Sequence, residues 1–324
     1  SELRTYQFQN ISNFRDVACS INESSKEIHI DPAKRVHLKP RMLFRSAKPD
    51  YASDEDLIRI TKKIGIRTIL DLRSEVEGDD QQTPWFNSFP LATATVLGGP
   101  LVDAPSIKNY SSASDLLEPP PPPIPPRPSS SSSSYSAPWE TKRGSYGSDS
   151  LTLTSSGGDV ESDAESIKLA YYQLRGMKQQ MLDTVGKDIF KNIGLQGFYA
   201  GLLCYSGKEI ARAIKIFSNL DNYPILVHCS HGKDRTGIII ALLLSLLGVD
   251  DRLIVDDYAK TREGMKDKLD EVKSDMRGTG MPDSFADAPP EAMRETMKHL
   301  RRIYRSTSYY LELIGISQRR QQRI

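Results

Sequence analysis

The residues best suited to do chemistry form one short segment, residues 228–237, with the sequence HCSHGKDRTG. An apolar run of β-type residues, 224–227, precedes it, and residues 236–247 are apolar almost throughout. This pattern predicts a buried strand, a loop and a buried helix. The amide groups of such a loop and the N-terminus of the helix form a concave site for an anion. Because that positive field favours a thiolate, Cys229 is a candidate nucleophile.

Arg235 completes the loop, because its planar guanidinium can bind two oxygens of a phosphoryl group at once. Gly232 allows a tight turn and a close approach of backbone to ligand, and Thr236 can place a hydroxyl beside the sulfur. The loop therefore predicts phosphoryl transfer through a phosphocysteine. The predicted phosphate-binding residues are Ser230, His231, Gly232, Lys233, Asp234, Arg235 and Thr236.

Two other uses of this loop are less favoured. A metal site built on His228, Cys229 and His231 would need further ligands, and the chain has 5 His and 3 Cys with no paired CxxC. A nucleotide-binding P-loop requires Ser or Thr after Gly-Lys, where this chain has Asp234. We expect no metal and no organic cofactor, since the amide nest itself supplies positive charge.

The loop resembles that of the atypical tyrosine phosphatases of bacteria and fungi, which reads HCxxGKDRTG. Three upstream segments resemble that family's NFRD, YRS and DLR elements in the same order, and two downstream segments resemble its C-terminal helices: residues 13–16 (NFRD), 44–47 (FRSA), 71–74 (DLRS), 290–293 (PEAM) and 304–316. The resemblance implies a cysteine-dependent protein-tyrosine phosphatase, with dual specificity open. It leaves a phosphoinositide phosphatase as the alternative, because the Lys-Asp pair of this family accompanies activity on phosphoinositides.

The acid that protonates the leaving group must be assigned separately. Conventional tyrosine phosphatases use an Asp on a mobile loop well before the cysteine, but residues 189–220 contain no Asp. Asp234 is the first candidate, and the resemblance implies the same role, although its neighbours Lys233 and Arg235 favour the ionised form. Asp71, at the end of a predicted parallel strand, is the second candidate. Its alternative is a structural carboxylate paired with Arg73.

Lys233 has two possible roles. A cation beside the catalytic arginine suits a substrate with more than one phosphate, such as a phosphoinositide head group. The alternative is a solvated lysine that only favours the thiolate of Cys229.

The remaining patterns predict an α/β fold of the cysteine-dependent phosphatase type, with a central, mainly parallel sheet flanked by helices and a helical C-terminal half. A capped helix over residues 53–64 leads through Gly65 into a strand at 66–72, and helical periodicity marks 167–181, 210–217, 253–260 and 291–310. We expect one domain, residues 1–102 plus 166–324. It is interrupted by a disordered insertion at 103–165, where residues 118–128 contain 8 prolines.

The composition limits the classes of binding partner that we expect for this protein. The chain has 43 Lys and Arg against 42 Asp and Glu, so no nucleic acid is expected. We find no signal peptide and no apolar run near the ~20 residues of a transmembrane segment, and expect a cytoplasmic protein. Within the insertion, Pro122 to Arg127 fits a ligand for an SH3-type groove, with an inert linker as the alternative. A non-catalytic phosphate-binding scaffold is disfavoured, because Cys229 and Arg235 are both intact.

Overall fold

The computed structural model describes residues 8–31, 35–73, 191–278 and 280–324. The predicted insertion at 103–165, including Pro122 to Arg127, lies outside the described residues, as does the helical pattern at 167–181.

The described residues before position 74 alternate strands and helices. They form β1 (Arg15–Asp16), α1 (Val17–Glu27), β2 (Leu43–Ser46), α2 (Asp54–Ile58), a π-helical segment (Arg59–Ile64) and β3 (Thr68–Asp71).

The described residues from position 191 onward contain one strand and are otherwise mostly helical. The strand is β4 (Ile225–His228), and the helices are α3 (Lys191–Tyr205), α4 (Gly207–Ile216), α5 (Asp234–Leu246), α6 (Asp251–Ala259), α7 (Thr261–Gly264), α8 (Leu269–Gly278), α9 (Pro290–Tyr304), α10 (Thr307–Leu313) and α11 (Gln318–Gln321). Short 3₁₀ turns cover Leu220–Asn222, Lys266–Lys268 and Asp283–Ala286.

The four strands form one mixed sheet in the order β1-β2-β4-β3. Strands β2, β4 and β3 are parallel, and the two-residue β1 is antiparallel to β2 at the edge. The prediction of a mainly parallel sheet is confirmed. Because Ser46 and Asp71 are both paired with His228, the three parallel strands end in register at one edge of the sheet. Ligands of parallel α/β sheets bind outside that edge.

The helix predicted over residues 53–64 begins as expected but does not stay α-helical. Ser53 accepts a hydrogen bond from the Asp56 amide, and the Asp56 side chain returns one to Ser53, which forms a capping box. From Arg59 onward the helix widens, and the Gly65 amide donates to the Ile60 carbonyl five residues back at 3.0 Å. Gly65 then turns the chain into β3 with a left-handed φ of 78°.

The hydrophobic core covers one face of the sheet. Phe44, Ile69 and Leu226 from three adjacent strands are completely buried, and isoleucines from the flanking segments pack on them: Ile11, Ile60, Ile64 and Ile66. Helix α5 is buried over nearly its whole length, as its apolar sequence predicts. The predicted helix at 291–310 is two helices instead, because the chain turns at Arg305, whose φ is 66°, and restarts with Ser306 capping α10.

The described residues fall into two units. The larger contains the described residues up to position 73 together with 196–272 and 287–324, and therefore the sheet and the loop that follows β4. The smaller contains residues 191–195 and the described part of 273–286, in which Arg277 and Asp283 form an exposed ion pair at 2.6 Å. Within the described residues, no helix is long and apolar enough to span a membrane.

Candidate active site

The segments that follow the three parallel strands are joined to one another by backbone hydrogen bonds. The Lys48 amide, just after β2, donates to the Ser230 carbonyl at 3.1 Å, and the Leu72 amide, just after β3, donates to the His228 carbonyl at 2.9 Å. The loop after β4 is therefore held from both sides, as the strand register requires.

That loop places the predicted nucleophile directly in front of a helix. Cys229 follows β4 and is 2 % exposed, while Asp234 and Arg235 are the first two residues of α5. The residue before α5, Lys233, makes no side-chain capping hydrogen bond, and no described side chain caps this helix. Since the first N–H groups of a helix have no intrahelical acceptor, this uncapped end is suited to bind an anion.

Gly232 adopts the one backbone conformation in the loop that excludes other residues. Its φ is +64°, and a Cβ atom built on it would lie 2.1 Å from the Ser46 carbonyl oxygen. The loop can therefore pack directly on the end of β2 only with glycine at this position.

The carbonyl groups of the loop are fixed from outside. Asn13 Nδ2 donates to the carbonyls of His231 and Gly232, each at 3.1 Å, and Arg45 Nη2 donates to the Gly232 carbonyl at 2.7 Å. In a trans peptide the C=O and the following N–H point in opposite directions. Anchoring these two carbonyls therefore turns the amides of Gly232 and Lys233 to the opposite side of the loop, as an anion site needs.

Asp257 of α6 holds the two arginines that stand behind this arrangement. It bonds Arg15 Nε at 2.9 Å and Arg45 Nη1 at 2.6 Å, and its side chain is 1 % exposed. Burial alone would raise the pKa of Asp257, but the two guanidinium groups outweigh it and hold that pKa far below the ordinary value. Burial lowers the pKa of Arg15 to about 10, against the pull of Asp257. We name Asn13, Arg15, Arg45 and Asp257 the brace.

Two contacts of Arg235 join it to the loop and to the segment that follows β3. Its Nη2 donates to Ser230 Oγ at 3.3 Å and its Nη1 to the Leu72 carbonyl at 3.4 Å, and the residue is half-buried. Both distances are long for hydrogen bonds. A phosphoryl oxygen can replace such contacts with shorter, charge-assisted ones.

Asp234 is fixed at one of its two carboxylate oxygens. Tyr199 donates to Oδ1 at 2.7 Å, Lys233 Nζ lies 3.3 Å from the same atom, and the side chain is 17 % exposed. The Tyr199 hydroxyl also lies 2.7 Å from that of Tyr258. The first candidate for the acid is thus at the loop, partly accessible, and oriented by its neighbours.

Lys233 is buried rather than solvated. Its side chain is 2 % exposed, and Nζ donates to the Asp287 carbonyl at 3.0 Å while pairing with Asp234. The expectation that it could be a solvated lysine is wrong, because its ammonium group is buried against the Asp287 carbonyl and the Asp234 carboxylate. These contacts connect Asp287, just before α9, to the carboxylate of Asp234.

Asp71 forms an ion pair with Arg73. The Arg73 Nη2 lies 2.8 Å from Asp71 Oδ2, and the same guanidinium also bonds Asp50. Burial would raise the pKa of Asp71, but His228, whose Nε2 is 3.8 Å away, and Arg73 outweigh it, so that this pKa lies below its ordinary value. An ionised carboxylate paired with Arg73 is what we expect if Asp71 has a structural role rather than that of the acid.

His228 and Thr236 are completely buried on either side of the loop. Burial lowers the pKa of His228, against the opposite effect of the nearby Asp71 carboxylate. The Thr236 hydroxyl makes no hydrogen bond within the described part of the chain. Since a buried hydroxyl normally has a partner, this donor is available to an acceptor that forms during a reaction.

Sequence reasoning found the loop but missed what orients it. Asn13, Arg15 and Arg45 lie in segments that resemble family elements, but the sequence assigns them no role. It also assigns none to Tyr199, Tyr258 and Asp257. The signal for the arginines is that each lies in a strand whose neighbours are buried, where an unpaired charge would be too costly. No comparable signal marks the two tyrosines, since a tyrosine at a buried position of a helix usually only packs.

The fold and the loop together define a class of protein. The parallel strands end at one sheet edge, where a loop places a cysteine and an arginine six positions apart around an amide nest, with a buried helix behind them. This arrangement corresponds to the cysteine-dependent phosphatase fold. The model of the tyrosine phosphatase family matches residues 6–324, and the chain belongs to that family.

Individual relatives match shorter stretches. The chain is 45 % identical over 42 residues to the triple specificity protein phosphatase PtpB of Mycobacterium tuberculosis, covering 13 % of this chain and 15 % of that protein. It is 29 % identical over 135 residues to a tyrosine-protein phosphatase of Nostoc commune, covering 39 % and 46 %. It is 31 % identical over 68 residues to the inositol diphosphatase SIW14 of Saccharomyces cerevisiae, covering 21 % and 24 %. The matched stretches thus span less than half the length of each of these relatives.

Proposed function

We propose that this protein is a cysteine-dependent phosphatase that hydrolyses phosphotyrosine in proteins through a phosphocysteine intermediate. The observation that carries the proposal is the loop itself: Cys229 is presented at an uncapped helix start, and the carbonyls of His231 and Gly232 are held away from it. Membership of the tyrosine phosphatase family supports the same conclusion.

In the first step, the Cys229 thiolate attacks phosphorus. A sulfur–phosphorus bond forms, the bond from phosphorus to the tyrosyl oxygen breaks, and Asp234 gives its proton to the departing oxygen. Arg235 and the loop amides bind the equatorial oxygens, whose charge they stabilise in the transition state. The thiolate must also be a stable leaving group later, and the Thr236 hydroxyl, which has no hydrogen-bond partner among the described residues, is suited to stabilise it.

In the second step, water replaces the cysteine. The water oxygen bonds to phosphorus, its proton passes to the Asp234 carboxylate, and the sulfur–phosphorus bond breaks to regenerate the thiolate and release phosphate. Asp71 is the alternative base, but its pairing with Arg73 favours Asp234.

A phosphoinositide or inositol phosphate substrate is the second candidate. It is favoured by the names of relatives, since SIW14 and a rice relative, DSP1, are called inositol diphosphatases. The buried position of Lys233 gives it less support, because Nζ already contacts Asp234 and the Asp287 carbonyl. A second phosphate would have to displace those contacts.

The test is release of phosphate, without added metal, from peptides carrying phosphotyrosine, phosphoserine or phosphothreonine and from mono- and bisphosphorylated phosphoinositides. Cys229→Ser and Asp234→Asn are the matched variants. We expect fastest turnover of phosphotyrosine, complete loss in Cys229→Ser and a large loss in Asp234→Asn. Faster turnover of the phosphoinositides than of the phosphotyrosine peptides would mean that the substrate is a lipid rather than a protein. Tight binding of phosphopeptides with no turnover would leave a scaffold and contradict the enzyme.

The proposed partner of the insertion is an SH3-type domain that binds Pro122 to Arg127. Its support is the sequence pattern alone. Binding of the full chain to immobilised SH3 domains should be lost in Arg127→Ala, and equal binding by that variant would refute this partner.

A further inference from the structure

Asp234 lies at the end of a chain of two buried tyrosines that the mechanism above does not use. The Tyr199 hydroxyl is 2.7 Å from Asp234 Oδ1 and 2.7 Å from the Tyr258 hydroxyl. The two rings meet edge to face at 86°, with centroids 6.0 Å apart, and both residues are almost fully buried. Tyr199 belongs to α3 and Tyr258 to α6, so two separate helices converge on this carboxylate.

The direction of these hydrogen bonds follows from the chemistry of the groups. A carboxylate can only accept, so Tyr199 donates its single proton to Asp234. The oxygen of Tyr199 then accepts from Tyr258. Burial raises the pKa of both phenols above the ordinary value, so both keep the protons on which this order depends.

The hydrogen-bonded tyrosines contact only one of the two carboxylate oxygens of Asp234. Both contacts that the described residues make with the Asp234 side chain, from Tyr199 and Lys233, fall on Oδ1. The second oxygen, Oδ2, is therefore the one available to exchange a proton with a substrate. The carbonyl oxygen of a protonated acid still accepts a hydrogen bond. The contact from Tyr199 to Oδ1 can thus persist whether or not Oδ2 carries a proton.

We propose that Tyr199 is a positioning residue for the acid. Its hydroxyl anchors Oδ1 so that Oδ2 faces the oxygen leaving phosphorus, and Tyr258 in turn fixes the rotation of the Tyr199 hydroxyl. The inference rests on the proposed function, because it assigns a role in the proton transfer of that reaction.

The test compares two substrates that differ in their need for an acid. Phenyl phosphate expels a basic phenolate that must be protonated, whereas dinitrophenyl phosphate expels an anion that leaves unassisted. For Tyr199→Phe we expect kcat/KM on phenyl phosphate to fall roughly tenfold, about the effect of one hydrogen bond to a charged group. On dinitrophenyl phosphate the loss should stay below about twofold, since the thiolate and Arg235 are unchanged.

A matched control separates this role from a structural one. Tyr310 is equally buried, and its hydroxyl donates to the Leu203 carbonyl at 2.8 Å rather than to Asp234. Tyr310→Phe should leave the ratio of the two kcat/KM values unchanged. Tyr258→Phe keeps the contact to Asp234 but removes its support, and should change the ratio in the same direction by less. This variant serves as well where Tyr199→Phe fails to fold.

A double-mutant cycle gives the decisive outcome. In an Asp234→Asn background, Tyr199→Phe should cause no further loss on phenyl phosphate, because the group it positions is already removed. Equal losses on the two substrates, or losses that add in the double variant, would overturn the proposal. Failure of the underlying function looks different: the unmodified protein would then release no phosphate, or Cys229→Ser would still release it.

Discussion

The two sides of the loop after β4 are built in opposite ways. On the outer side, the brace is buried and closely bonded, with both oxygens of Asp257 bound to arginines at 2.9 and 2.6 Å. On the inner side, the hydrogen bonds of Arg235 to Ser230 and to the Leu72 carbonyl are longer, at 3.3 and 3.4 Å, and the Thr236 hydroxyl makes none within the described residues. The difference shows how the molecule separates two requirements. The brace supplies the geometry, and the inner side keeps its donors ready for a phosphoryl group.

Breaking the brace should give the largest effect, and it should be an effect on stability. Arg45→Met leaves the Asp257 carboxylate with one arginine and removes a donor from the Gly232 carbonyl. We expect the free energy of unfolding to fall by about 3–5 kcal/mol, because a buried partner charge is left partly unpaired. Urea unfolding measures it.

The control for that variant is an exposed ion pair. Arg301 of α9 pairs with Asp251 at the surface, where its side chain is 49 % exposed. Arg301→Met should change the free energy of unfolding by less than about 1 kcal/mol. Similar losses in the two variants would show that the brace is not special.

Changing the inner side should instead affect catalysis. Arg235→Lys keeps the positive charge but removes the planar fork, and we expect kcat on a phosphotyrosine peptide to fall about 10²–10³-fold, as for the loss of a transition-state donor. Because Lys keeps the positive charge and the contacts of Arg235 to Ser230 and Leu72 are long, thermal unfolding should change little. A large loss of stability with unchanged kcat would reverse the proposed division between the two sides.

Gly232 lies where the two sides meet, so its replacement should affect both properties. Gly232→Ala places a Cβ against the Ser46 carbonyl at a positive φ, and we expect a loss of roughly 2–3 kcal/mol in unfolding free energy together with reduced kcat/KM. Gly65→Ala is the control, because Gly65 has a similar φ of +78° but nothing within 4 Å of the added atom. It should cost only about 1–2 kcal/mol and leave kcat/KM unchanged. Identical behaviour of both variants would exclude the contact with Ser46 as the cause.

The smallest effect is the pH dependence of the brace. The pKa of Asp257 is lowered in the folded chain, so its contribution to stability is present above the ordinary value of about 4 and is lost as the pH falls below it. Asp257→Asn should therefore show a shallower loss of unfolding free energy between about pH 5 and pH 2 than the unmodified protein. Parallel curves would mean that Asp257 is not the group that titrates.

The contrast between the two sides also separates what the sequence could predict from what it could not. Cys229 and Arg235 were predictable because their chemistry depends on the residue types and their spacing along one loop. The brace was not, since Asn13, Arg45 and Asp257 are distant in sequence and meet only through the sheet order β1-β2-β4-β3. The same holds for Tyr199 and Tyr258, which act on Asp234 from two different helices. The π-helical end at Arg59–Ile64 was missed because its apolar spacing also fits an α-helix.

The covalent intermediate on Cys229 can be trapped directly. The protein is mixed with a phosphotyrosine peptide, quenched in acid within milliseconds, digested and examined by mass spectrometry. We expect one phosphoryl group on the peptide that contains Cys229, formed before free phosphate accumulates and absent in Cys229→Ser. Steady phosphate release with no phosphoryl group on that peptide, or release that persists in Cys229→Ser, would contradict the proposed phosphocysteine intermediate.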